Sequence, residues 1–136
     1  MLPNFTIAYG CVLVMALLPV VCAGIAKSGK MRTPPSEGGY DNADPRHWLQ
    51  RQTEWRARAN NAQANTFEAL PFFFAAVIIA HQMQASQWYV DALALAFVVL
   101  RLAYVAAYVS NKANLRSVIW MLALLANVAL LFAGFR

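Results

Sequence analysis

Hydrophobic residues fall into four long stretches along the chain, and polar segments separate them. Each stretch holds about 20 residues or more, the length that an α-helix needs to cross the hydrocarbon core of a bilayer. We place the four spans at residues 5–26, 57–82, 89–109 and 116–135. The pattern therefore predicts an all-α integral membrane protein, a bundle of four transmembrane helices in one domain that covers residues 1–136.

The second span is polar in its first half and apolar in its second half. Its polar residues recur every three or four positions and so line one helix face; they are Arg58, Asn61, Asn65 and Glu68. A carboxylate beside the apolar run 70–80 is costly unless a partner meets it. We therefore expect Glu68 to meet a group from another helix, another subunit or a ligand. Pro71 removes a backbone donor one turn later, which predicts a bend.

The polar segment between the first two spans, residues 27–54, is rich in proline, glycine and charge, which predicts an exposed loop with several turns. Within it, Asp44 followed by Pro45 is typical of the start of a short helix. Trp48 and Trp55 are predicted to mark the headgroup level of the membrane. We expect the first span to be retained rather than cleaved as a signal peptide, because residues 1–4 carry no basic side chain.

Basic residues concentrate on one side of the four spans. The side that carries the long loop holds Lys27, Lys30, Arg32, Arg46, Arg51, Arg56, Arg58, Lys112 and Arg116. The other side offers only Arg136 and the terminal amine. The positive-inside rule then predicts that the loop 27–54 is cytoplasmic. We expect a multi-pass protein of a bacterial inner membrane, whose loop lysines and arginines contact membrane lipids.

Composition narrows the class of protein further. Hydrophobic residues make up 60% of the chain, charged residues 12%, and the mean hydropathy is +0.46, so polar side chains are too few to cover a soluble globule. The net charge of +5 comes without a nucleic-acid-binding motif, and we expect no nucleic-acid partner. Cys11 and Cys22 lie about three turns apart on one helix, too far to bridge. Zinc-type Cys and His spacing is also missing, so we expect no metal site.

Side chains of the later spans are predicted to join the polar face of the second span. Tyr104 and Tyr108 follow Arg101 at three and seven positions, so all three project from one face. Arg116 opens the last span at the same depth. Such a mixture suits a small zwitterionic ligand, because arginines bind carboxylates and a carboxylate binds an ammonium group.

Purely structural interpretations of the same residues remain open. Glu68 and Arg101 would also be explained by an interhelical ion pair that fixes packing. The two tyrosines would fit an interfacial belt, and Arg116 would fit a topology anchor. Trp120 and Asn127 are interpreted as packing residues of the last span, and Asn127 would also suit a hydrogen bond across a subunit contact.

Three motifs carry a resemblance to a known family. They are Asn65-x-x-Glu68-x-x-Pro71-x-Phe73 after Ala62-Gln63, Arg101-x-x-Tyr104-x-x-x-Tyr108, and Leu115-Arg116-Ser117 at the start of the last span. In this order they resemble the MAPEG family, the membrane-associated proteins of eicosanoid and glutathione metabolism. The resemblance implies a homotrimer that holds glutathione, as cosubstrate, between neighbouring subunits near the cytoplasmic face.

The resemblance also implies roles for individual residues. The glutathione-binding residues would be Arg58, Asn65, Glu68, Arg101, Tyr104 and Tyr108. Arg116 would stabilise the glutathione thiolate, and Ser117 would lie beside it as the second catalytic residue. A free thiol titrates near about 8.5, so a guanidinium against the sulfur raises the fraction of the nucleophilic thiolate. The implied function is a transferase or peroxidase that acts on hydrophobic electrophiles from the bilayer.

One position departs from the family pattern. Asn61 stands where glutathione-binding members carry arginine, and Arg58 lies one turn earlier. This departure favours the alternative of a non-catalytic membrane scaffold or lipid-binding protein. A small multidrug transporter fits less well, because the acid of those four-span chains lies in the first span whereas Glu68 lies in the second.

Overall fold

The computed structural model describes residues 4–135, and its elements are all helical. They are α1 (Ile7–Lys27), α2 (Pro45–Gln50), α3 (Glu54–Gln82), α4 (Gln87–Val109) and α5 (Ala113–Leu131), with one 3-10 turn at Pro35–Glu37. α1, α3, α4 and α5 are each long and apolar enough to cross a membrane. The predicted all-α, four-span fold is confirmed. The last helix begins and ends a few residues earlier than its predicted span.

Hydrogen bonds between helices define the two ends of the bundle. At the loop end, which carries the 28–53 segment and the α4–α5 turn, Arg58 Nε donates to the Val109 carbonyl at 3.0 Å. At the opposite end, Thr6 Oγ1 lies 3.0 Å from His81 Nε2, and the Ala8 amide donates to Asp91 Oδ1 at 2.9 Å. The four long helices therefore alternate in direction. Short turns join α3 to α4 and α4 to α5, as is usual for antiparallel neighbours, and the long loop joins α1 to α3.

The bundle core lies between α1, α3 and α4, and α5 packs on α3 and α4. Phe73 and Phe97 stack with ring centroids 4.4 Å apart, which fixes α3 against α4 at mid-height. α3 runs as one continuous helix across Pro71. Large apolar side chains that point outward, such as Val20 and Val99, are more than half exposed, as expected for surfaces that face lipid.

The long loop folds over its own aromatic cluster. Asp44 caps α2 by accepting from the His47 amide at 3.4 Å, and Pro45 is the first helical residue, as predicted. Trp48 is only 3% exposed and packs edge-on against Tyr40 with centroids 5.3 Å apart. The interpretation of Trp48 as a headgroup marker is therefore wrong, because its indole is buried inside the loop.

Candidate functional site

Arg101 is the central side chain of the site. It projects from α4, is only 1% exposed, and donates from Nη2 to Asn65 Oδ1 at 3.0 Å and to Thr66 Oγ1 at 3.2 Å. Its guanidinium also lies 4.3 Å over the ring of Tyr104, a cation–π contact. Thr66 in turn donates to the Ala62 carbonyl at 2.7 Å. The neutral groups of α3 thus hold a cation in the middle of the bundle.

Glu68 lies beside this guanidinium but is not its hydrogen-bond partner. The carboxylate is exposed and accepts from the Asn65 amide at 3.5 Å. The donors of Arg101 that form bonds go to Asn65 and Thr66 instead. Among residues 4–135, Glu68 and Arg101 therefore do not form the interhelical ion pair. The Glu68 carboxylate is accessible from outside the chain.

A second group of predicted residues gathers nearer the loop end. Tyr104 and Tyr108 pack edge-on with ring centroids 5.6 Å apart. The Arg116 guanidinium lies 4.2 Å over the ring of Tyr108, so α4 and α5 meet through another cation–π pair. Tyr108 and Arg116 are both half-buried. The two tyrosines therefore connect the Arg101 centre to Arg116.

Two predicted site residues use their polar groups elsewhere. Arg58 donates to the carbonyl of Val109, the last residue of α4, where a cation also complements the helix C-terminus. Ser117 is exposed, and its hydroxyl donates to the Ala113 carbonyl of its own helix at 3.1 Å. Asn61, where the family pattern has arginine, is exposed on α3. Arg58 thus caps α4 through its Nε donor in this structure.

A cavity of about 180 Å³ lies between α3, α4 and α5, and we call it the inner cavity. Its polar wall consists of Asn65, Glu68, Arg101 and Asn127. Phe72, Phe97 and Trp120 supply its aromatic wall. The cavity reaches the protein surface beside Glu68 and Trp120, two exposed residues. Trp120 is 39% exposed.

Three residues of the site lay outside the predicted set of binding residues. Thr66 is fully buried under Arg101, and Trp120 and Asn127, interpreted from the sequence as packing residues, line the inner cavity. The sequence did contain a signal for Asn127. A lone amide in an apolar span costs free energy unless it is hydrogen-bonded, and it therefore marks a site. Thr66 gave no such signal among the polar residues around it. Among residues 4–135, no cluster of His, Cys, Asp and Glu could hold a metal ion.

These features define the class: a multi-pass helical membrane protein with a polar centre built inside its spanning helices. The model of one protein family, the MAPEG family, matches residues 7–136, and the chain belongs to that family. This match confirms the resemblance drawn from the motifs. Members of the family are membrane proteins of glutathione and eicosanoid metabolism. Neither a curated protein nor a solved structure matches the chain.

Proposed function

We propose that this protein is a membrane-bound, glutathione-dependent transferase or peroxidase that acts on hydrophobic electrophiles. The observation that carries the proposal is the position of Arg116, whose guanidinium stacks on Tyr108 at the loop end of the site. A guanidinium that contacts a ring instead of a carboxylate keeps its donors for an anionic ligand. Glu68, exposed on α3 where that helix lines the inner cavity, offers the charge that the glutathione ammonium needs.

The chemistry requires a thiolate beside a cation. Glutathione releases its thiol proton to solvent, and Arg116 stabilises the resulting sulfur anion. In a transferase reaction with an aryl chloride, the sulfur forms a bond to the ring carbon and chloride leaves with its bonding electron pair. In a peroxidase reaction the sulfur attacks a hydroperoxide oxygen, the O–O bond breaks, and a second glutathione completes a disulfide while the alcohol and water leave.

Conjugation by purified protein tests this function. Wild type is expected to produce thiolate absorbance with glutathione and to conjugate chlorodinitrobenzene. Arg116→Ala should lower the conjugation rate by about 100-fold, the cost of losing one electrostatic stabiliser of a reacting anion. Arg32→Ala, which removes an exposed loop arginine, is the matched control and should leave the rate unchanged. A wild type without thiolate absorbance and without conjugation would contradict the proposal.

Calorimetric titration with glutathione tests the binding site separately from the reaction. Glu68→Gln keeps the side-chain shape and removes the charge, so we expect weaker glutathione binding by about tenfold, the weight of one charge-assisted hydrogen bond. Equal affinity in wild type and Glu68→Gln would remove the carboxylate from the proposed site.

We further propose that the chain forms the homotrimer implied by its family. Glu68 lies 14 residues from either end of α3, about 21 Å along the helix axis from each end, and it is exposed. A monomer would turn this carboxylate toward lipid, which is expensive, whereas a neighbouring subunit would cover it. Light scattering of the detergent-solubilised protein should give a protein mass near three times 15.0 kDa. A mass near 15.0 kDa would contradict the trimer.

A second candidate function is a non-catalytic scaffold or lipid-binding protein of the same family. The specific observation in its favour is that Asn61, which stands where the family pattern has arginine, is neutral and exposed, while Arg58 on the preceding turn donates from Nε to the Val109 carbonyl. This candidate predicts saturable lipid binding that Arg116→Ala leaves intact, together with no conjugation by wild type.

A further inference from the structure

Exposed aromatic rings collect at the end of the bundle opposite the long loop. Phe5 and Trp88 are 78% and 74% exposed, and two further exposed rings lie near them. The rings come from three helices. Phe5 lies just before α1, Trp88 and Tyr89 lie in the first turn of α4, and Phe132 directly follows α5. We call these four residues the aromatic belt.

Contacts between the helices place these rings at one level. The Ala8 amide donates to Asp91 Oδ1 at 2.9 Å, which sets α1 against α4. Phe5 and Trp88 each lie three positions nearer the end of the bundle than the member of that pair in their own part of the chain. The segment after α5 packs so closely on the α3–α4 turn that a Cβ at Gly134 would overlap the turn. The end of α5 therefore reaches the same level.

The outward face of α4 indicates what covers the belt. Val99 follows Trp88 by about three helical turns, so both side chains point in the same direction. Leu95 shares this face, and all three side chains are exposed. Exposed apolar side chains in the middle of a spanning helix face the hydrocarbon of the bilayer. Trp88 is therefore the last member of a lipid-facing stripe, directly before the polar turn that contains Ser86.

The chemistry of an indole determines the depth at which this stripe ends. The ring of Trp88 is mostly apolar but carries an N–H that needs a hydrogen-bond partner. Water would leave the apolar ring hydrated, and hydrocarbon would leave the N–H without a partner. The boundary between the lipid headgroups and the hydrocarbon satisfies both parts of the ring, and tryptophan and tyrosine are enriched there. A bilayer also surrounds the ends of α1, α4 and α5 at once.

We infer that the aromatic belt contacts the headgroup boundary of the leaflet opposite the long loop and thereby fixes the depth of the bundle. Arg101 lies 13 residues after Trp88, about 20 Å along α4. Because the hydrocarbon core is about 30 Å thick, the polar centre around Arg101 lies about 10 Å from the boundary on the loop side. A polar ligand therefore reaches this centre from the loop end. The inference goes beyond the proposed function and does not need glutathione.

Fluorescence quenching of the full-length protein in phosphatidylcholine vesicles tests the depth of Trp88. A Trp55→Phe, Trp120→Phe double variant leaves Trp88 and Trp48, and Trp48 is buried inside the loop. Adding Trp88→Phe gives the background to subtract. The quenchers are aqueous iodide and two spin-labelled lipids, one with a shallow label beside the headgroup and one with a deep label near the chain end. The shallow label should quench Trp88 at least about twofold more than the deep label, and iodide should quench it weakly.

A second tryptophan on the same face of α4 provides the depth control. Val99→Trp, introduced into the variant that lacks Trp55, Trp88 and Trp120, lies about 16 Å deeper and should be quenched more by the deep label. The same label preference at positions 88 and 99 would overturn the inference. Strong quenching of Trp88 by iodide alone would place the ring in water, and no quenching by any of the three would mean that a protein covers it. Either result would also overturn the inference.

Discussion

At the scale of single residues, the buried guanidinium of Arg101 is stabilised without a carboxylate hydrogen bond. Asn65, Thr66 and the ring of Tyr104 surround it. Interhelical hydrogen bonds within membranes contribute only about 0.6 kcal/mol on average. The contacts of Arg101 should exceed that average, because the group left unpaired by their loss is a buried cation.

Replacement of Thr66 tests this expectation. Thr66→Val keeps the volume, removes the acceptor for Arg101 Nη2 and should lower the free energy of unfolding by about 1–3 kcal/mol. Thr66→Ser keeps the hydroxyl and should lose much less. Thermal unfolding in one detergent measures both, with Thr53→Val, an exposed threonine without a side-chain cap bond, as the control. Equal stability of Thr66→Val and wild type would mean that the Arg101–Thr66 bond contributes nothing.

The ring of Tyr108, rather than its hydroxyl, is what contacts Arg116. A cation–π pair contributes about 0.5–2 kcal/mol, so Tyr108→Leu should lower the conjugation rate by about 2- to 30-fold through a misplaced guanidinium. Tyr108→Phe keeps the ring and should retain most of the rate. If Tyr108→Phe is as slow as Tyr108→Leu in the chlorodinitrobenzene assay, the hydroxyl itself contacts the substrate and this account of the ring is wrong.

Helical spacing predicted part of the site because the residues concerned sit on well-defined faces. Asn65 and Glu68 lie on one face of α3, and both line the inner cavity with Arg101, to which Asn65 bonds. Arg58 shares the face, but its long side chain bonds to the end of α4, which only the tertiary structure reveals. Ser117 is similar, because its hydroxyl bonds within its own helix. Helical spacing therefore predicts which face a residue occupies, but it does not predict which group the side chain contacts.

At the scale of elements, α1 is fixed at both ends by charged side chains from its neighbours. Asp91 of α4 accepts from the Ala8 amide in the first turn of α1. Arg56 of α3 donates from Nη1 to the carbonyls of Ala26 and Ser28 at 2.8 Å and 2.7 Å. A negative group at the N-terminus and a positive group at the C-terminus both oppose the helix macrodipole and satisfy its free backbone groups.

Removal of these two caps should be additive. Asp91→Ala and Arg56→Ala are each expected to lower the free energy of unfolding by about 1 kcal/mol. α1 has 21 residues and spans about 30 Å, so the two sites are too far apart to interact. Thermal unfolding of both single variants and the double variant checks this, with exposed Glu37→Ala and Arg32→Ala as charge-matched controls. A double variant that loses clearly more than the sum would mean that the caps are coupled through α1.

The order and length of the helices were predictable because hydrophobicity alone defines a span. The capped start of α2 at Asp44 and Pro45 was predictable as well, since both residues act locally. The burial of Trp48 was not, because it depends on a contact with Tyr40 across the loop. An aromatic residue near a span fits a membrane interface and a loop core equally well, and only the folded loop distinguishes them.

At the scale of the whole molecule, the two ends of the bundle differ in charge and so define an orientation. The loop end carries most of the lysines and arginines, which predicts that it faces the cytoplasm. Cys11 and Cys22 are both buried in α1, so the native thiols should react poorly with a polar maleimide. The protein therefore offers a low background for single introduced cysteines.

Two conservative substitutions report the orientation. Ser36→Cys lies in the exposed loop, and Ser86→Cys lies at the exposed turn before α4, at the opposite end of the bundle. In intact bacterial cells that express the protein, a membrane-impermeant maleimide should label Ser86→Cys and leave Ser36→Cys unlabelled until the cells are opened. Both positions should react fully in detergent, because both are exposed. The reverse pattern in intact cells would place the basic loop, and the proposed glutathione site with it, outside the cell. That result would contradict the cytoplasmic location that the positive-inside rule predicts for the loop.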